Sequence, residues 1–195
     1  MKYSVIIQYI LALYTVFVAV GSIVLFIKPL YPFYMTFLSF WILTVYMVLF
    51  FILPLKIRTA LYGFCLTIHI IVPLVYWLFI NGTISDHVSE ISTIWNYFIH
   101  GSDLLVIFIH FLLFKNPLPY WTVFFNLVLI TLYIAWAWVG YYLLGIFVYN
   151  FMNFSDPMAK FLYPGIYIAV FSLSFIWCWI HNLRNKRQKV NTDEV

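Results

Sequence analysis

The sequence predicts an all-α integral membrane protein, a six-transmembrane-helix bundle with both termini in the cytoplasm, and three observations carry that prediction. Hydrophobic residues fill 66% of the 195 positions and charged residues 8%, with a mean hydropathy of +1.01, a balance foreign to soluble globules. Six apolar stretches, roughly 4–26, 32–54, 60–80, 92–114, 119–145 and 160–181, each approach the ~20 residues a helix needs to cross ~30 Å of hydrocarbon. Basic residues alternate in side: Lys2, Lys56, Arg58, Lys115, Arg184, Lys186, Arg187 and Lys189 fall at one end of the spans, and only Lys28 and Lys160 at the other. The spans must be helices, because an open strand leaves backbone groups unpaired in lipid and a barrel needs short alternating segments.

The same charge pattern bounds the partners. A net charge of +4 spread over short connections and a basic tail is orientation information rather than a nucleic-acid surface. The lipid bilayer is the expected partner, in the endoplasmic reticulum or the plasma membrane. Residues 1–181 form the membrane domain and 182–195 a basic cytoplasmic tail. Two Asn-x-Ser/Thr sequons, at Asn81 and Asn153, fall at the end poor in basic residues, in keeping with that orientation.

In the first stretch, Gln8, Tyr9, Tyr14 and Thr15 are suited to helix-to-helix hydrogen bonds, and Gly21-Ser22 permits close packing. Pro29 and Pro32 bracket a turn. The second stretch opens with Thr36 and Ser39 on one face, Thr36 lying about 6 Å inside the boundary. The third holds His69, read as a core histidine or a member of a polar cavity, and Pro73, which predicts a kink. The loop that follows carries Asp86, His87 and Glu90, whose spacing fits a solvated loop better than a metal site.

The fourth stretch contains the one carboxylate within any span, Asp103. At 3.6 residues per turn Asn96, His100, Asp103 and His110 share a face, with Leu105, Phe108 and Leu112 opposite. An intramembrane carboxylate is costly without a partner, and His100, one turn away, is the nearest candidate. His100 enters from the same side as Thr36 and lies about 12 Å deep. A hydroxyl and an imidazole at similar depth are the minimum parts of a nucleophile and its base. In the fifth stretch Trp136, Trp138, Tyr141 and Tyr142 suit an interfacial anchor, as do Trp177, Trp179 and His181 at the end of the sixth. Cys65 and Cys178, both within apolar runs, read as buried thiols rather than a disulfide.

Several local motifs point further. Phe98-Ile99-His100-Gly101, the Lys115-Asn116-Pro117 turn, the aromatic run ending in Gly145-Ile146-Phe147-Val148-Tyr149, and Tyr34-Met35-Thr36-Phe37 with Trp41 together resemble the family that joins rolling stone-like proteins to the androgen-induced membrane hydrolases. The resemblance implies six spans and a threonine hydrolase cleaving fatty acid esters of hydroxy fatty acids. It places the nucleophile at Thr36 and a histidine pair in the fourth span, of which His100 matches the first member and Asp103 stands at the second. Combined with the residues themselves, this gives an expected lipid-ester hydrolase in which Thr36 attacks, His100 accepts the proton and Asp103 holds the imidazole. No metal or organic cofactor is implied. Two other classes fit the composition: a non-enzymatic rolling stone-like protein of cell contact or fusion, and a proton-linked transporter, against which there is no inverted repeat or pair of broken helices.

Overall fold

The structure, a computed structural model, describes residues 2–26, 31–80 and 90–193, with side chains at 4–24, 32–78, 94–95, 97–149 and 151–185. The sequon at Asn81, the loop residues Asp86 and His87, Pro29 and the side chains of Glu90 and Asn96 lie outside that set. Among the described residues there are six main helices and no strand: α1 (Lys2–Phe26), α2 (Met35–Leu49), α3 (Leu55–Val75), α4 (Glu90–Leu113), α5 (Trp121–Leu144) and α6 (Ala159–Asp193). Four helical segments are long and apolar enough to cross a membrane, namely Ser4–Val24, Leu55–Leu78, Trp121–Leu144 and Ala159–Asn185. The other two apolar segments, Met35–Leu49 and Tyr97–Leu113, are shorter. With 15 residues α2 is about 22 Å long; a turn over 50–53 follows it, and Pro54 stands at the N-cap of α3. Helix α6 runs on to Asp193 without a break at residue 182.

The burial pattern is that of a protein whose solvent is apolar. On α1 Gln8, Leu11, Thr15, Val18 and Ser22 are buried at helical spacing, while Ile6, Tyr9, Leu13, Phe17, Val20 and Val24 are exposed. A water-soluble surface does not carry so continuous an apolar face. Buried hydroxyls satisfy themselves on their own helices: Thr15 donates to Ala12, Ser22 to Val18, Ser39 to Thr36, Thr44 to Phe40 and Thr67 to Gly63.

Helix α3 is the hub, packed against α2, α4, α5 and α6, and every side chain from Tyr62 to His69 is buried. Polar contacts hold α3, α5 and α6 together: the Asn126 amide donates to the Gly63 carbonyl (3.2 Å), to Thr67 (3.3 Å) and to Ser174 (2.9 Å). Cys65 and Cys178 are free and buried, as expected, and Cys178 also meets the Thr122 hydroxyl at 3.4 Å. Gly21 matters as read, since a Cβ there would come within 2.6 Å of the Trp95 ring. Pro73, which has no N–H to give the His69 carbonyl, is followed within a turn by a π-helical stretch, Tyr76–Ile80. That widened turn sets Tyr76 against α4.

Candidate functional site

Polar side chains gather in three places. The first is the face of α4. His100 (3% exposed), Asp103 (1%) and His110 (1%) point inward, and Leu105, Phe108 and Leu112 are exposed, so the predicted stripe is present. Its members do not act as one group. Asp103 Oδ1 accepts the Leu104 N–H at 2.9 Å, whereas Asp103 Oδ2 and His100 Nδ1 are buried without a hydrogen-bond partner. The expected Asp103–His100 hydrogen bond is not formed. Tyr14 of α1 lies beside them and bonds Ser102. The His100 ring stacks on Tyr76, centroids 3.8 Å apart and planes 13° from parallel.

The second place is a cavity at the end of the bundle opposite the termini. Its wall includes Met35 and Thr36 from α2, Ile71, Val75 and Tyr76 beyond Pro73, Tyr133 from α5 and Tyr149 from the connection to α6. It encloses about 60 Å³ of water-accessible space within a cleft of about 630 Å³ that is partly open to the surroundings. The enclosed part is roughly four times what one water requires, enough for a short alkyl segment. Half-buried Thr36 departs here from the buried hydroxyls. Tyr133 donates at 3.2 Å to the carbonyl of Phe33, three residues before Thr36, and the Thr36 side chain bonds instead to the Tyr149 hydroxyl. Tyr149 also has Tyr133 as a side-chain partner and accepts the Met35 N–H at 3.2 Å, satisfying a first-turn donor of α2. Burial pushes the Tyr149 phenol up to about 12, so it keeps its proton.

Phe33 itself is fixed by close approach to α5. A Cβ on Gly140 would come within 2.6 Å of its ring, and Trp136 stacks on its other side while donating to the Pro32 carbonyl at 2.9 Å. Trp136 and Trp138, read as anchors, therefore also tie the connections to α5, Trp138 through the Tyr163 hydroxyl at 3.1 Å.

Thr36 and Tyr76 both line the cavity, and Tyr76 also stacks on the His100 imidazole, which is not among the lining residues. The hydroxyl row from Thr36 through Tyr149 and Tyr133 ends on a backbone carbonyl, which is no base. Ser39 is turned to its own helix.

The third place, at the end carrying the termini, was not legible beforehand. Tyr46 and His110 Nε2 hydrogen-bond at 2.6 Å, Tyr62 and His181 Nε2 at 2.8 Å, and Tyr62, Phe50, Phe111 and Phe114 pack their rings around the two imidazoles. Arg58 donates to the Phe50 carbonyl, and Arg184 to those of Phe111 and Phe114, where helices end with unpaired carbonyls. His181, read as an interfacial residue, is fully buried beneath the rings of Tyr62, Phe111 and Phe114. His69 is a core histidine, its Nδ1 on the Cys65 carbonyl at 2.9 Å.

Among the described residues no group of three or more His, Cys, Asp or Glu side chains could hold a metal ion. Compared with protein-family models, characterised proteins and solved structures, the chain finds no match. The family resemblance therefore rests on its own motifs.

Proposed function

We propose that the chain is an integral membrane protein of six crossings with the termini in the cytoplasm, and that it takes the acyl part of a membrane lipid into the Thr36 cavity and cleaves an ester there. The observation that supports this best is the position of Thr36, a hydroxyl not bonded back to its own helix, on the wall of an otherwise apolar cavity. Its placement suits attack on an ester carbonyl whose acyl chain fills the cleft. His100 is the proton acceptor in this reading and must reach Thr36, which requires Tyr76 to turn off the imidazole. Asp103 then carries the charge balance of the protonated ring.

The test is turnover of a panel of lipid esters by the purified chain. Thr36→Ala and His100→Ala should each lower hydrolysis by about 100-fold or more, the usual worth of a positioned base. Tyr76→Ala should raise it, since the covering ring is gone. A well-folded Thr36→Ala variant with undiminished activity removes the hydrolase reading.

One observation favours a second reading, lipid binding without turnover, as for a non-enzymatic rolling stone-like protein. The side-chain partner of Thr36 is the Tyr149 hydroxyl rather than an imidazole. Inactive wild type that still binds lipid in the cavity establishes that reading.

A further inference from the structure

Midway along the bundle, neighbouring helices each bury a polar atom that has no partner: Nε2 of His69 on α3 and Oδ2 of Asp103 on α4. Helical register sets the two opposite each other. Tyr62 of α3 and His110 of α4 are in ring contact, with centroids 5.3 Å apart. His69 stands seven residues after Tyr62, and Asp103 seven residues before His110 on a helix running the other way. Seven residues are two turns, about 10.5 Å, and return nearly to the same face. Beyond this level α3 and α4 are still in contact, since Tyr76 stacks on His100. His69 and Asp103 therefore repeat the meeting of Tyr62 and His110 two turns further from the termini.

One side of the pair has a fixed tautomer. His69 Nδ1 lies 2.9 Å from the Cys65 carbonyl, which can only accept, so Nδ1 carries the ring proton and Nε2 is a bare lone pair. Asp103 Oδ1 is taken by the Leu104 N–H, which leaves Oδ2 to meet it. Without a further proton the pair is an anion, with two it is a cation, and with one it is neutral. A net charge at this depth is costly, and no fixed cation stands near to offset it. Residues 59–114 contain no lysine or arginine; α2 and α5 contain no acid, lysine, arginine or histidine; and those of α6 stand at Lys160 and from His181 onward. The ionisable side chains on the adjoining turns are Tyr14 of α1, which packs on Phe98, Cys65 and Tyr76 of α3, and His100 of α4. The neutral state, with a single proton between carboxyl and imidazole, satisfies both buried atoms at once.

We propose that His69 and Asp103 form a binding site for one proton in the middle of the bundle, shared between Nε2 and Oδ2. Neither residue lines the cavity, and the proposed hydrolysis is unaffected: the shared proton moving to Nε2 makes Asp103 the carboxylate that a protonated His100 needs. The experiment is NMR of the full chain in micelles with isotope-labelled histidine, the His69 ring signals identified by their loss in His69→Gln. The Nε2 signal of His69 should lie between the positions of a bare and a protonated ring nitrogen, with Nδ1 protonated throughout. It should hold that position between about pH 5 and pH 8, where an ordinary imidazole titrates. In Asp103→Leu it should move to the bare position. In Asp103→Asn, whose amide donates a hydrogen bond but gives up no proton, it should move only part of the way. A wild-type Nε2 signal already at the bare position, or one that titrates with an ordinary midpoint, overturns the proposal. So does a response to Asp103→Leu confined to His100. Should Asp103→Leu fail to fold, the wild-type signal and the near-isosteric Asp103→Asn decide alone.

Discussion

The two ends of the bundle solve one problem differently. At the end with the termini, polar groups are buried in a packed aromatic layer: Tyr46 with His110, Tyr62 with His181, and rings in edge, tilted and stacked contact around them. At the opposite end a hydroxyl row borders unfilled space. The difference teaches where this chain is rigid by construction. Filled volume around the Tyr46–His110 and Tyr62–His181 hydrogen bonds holds α2, α3, α4 and α6 in one arrangement, whereas a cavity gives up contacts that only a ligand restores.

The comparison can be broken by unfolding measurements on the purified protein in micelles. Largest should be Tyr62→Ala, which removes a fully buried ring touching His110, Phe114 and His181 and should cost about 3–5 kcal/mol. A loss under about 1 kcal/mol would show the layer is not packed as described. Next comes Gly140→Ala, whose added Cβ must displace Phe33 from 2.6 Å, at about 1–3 kcal/mol. Because the Phe33 carbonyl ends the hydroxyl row, this variant should also weaken lipid binding beside Thr36, coupling α5 to the cavity. Asn126→Leu, which deletes the amide bridging α3 and α6, should cost about 0.6–1.7 kcal/mol, the range of single hydrogen bonds between membrane helices. Smallest is Thr36→Val. Its stability change should stay within about 1 kcal/mol, its effect appearing only with ligand, and a larger loss would make Thr36 part of the framework.

Much of the framework was legible. The 3.6-residue period on α4 placed His100, Asp103 and His110 inward and Leu105, Phe108 and Leu112 outward, because a helix fixes which residues share a face. Pro73 announced a local distortion, since a missing N–H disturbs the ladder in any context. The site was legible only in part. Thr36 stood out by type and depth, but its partner Tyr149 and the neighbouring Tyr133 are 113 and 97 residues away, and no periodicity connects them. Tyr76 shows the same limit: its ring was one aromatic among many until the π turn laid it over His100.

By itself, then, the sequence determined that the chain is helical and apolar on its outside, and which face of α4 turns inward, because hydropathy and helical period act within single segments. Only the tertiary structure decided that α3 is the hub, that Tyr76 stacks on His100 while lining the Thr36 cavity, and that His181 pairs with Tyr62. Those outcomes depend on which helices pack side by side, and in a chain whose helices are all apolar that choice is made by the fit of ridges, small residues and polar pairs between segments far apart in sequence.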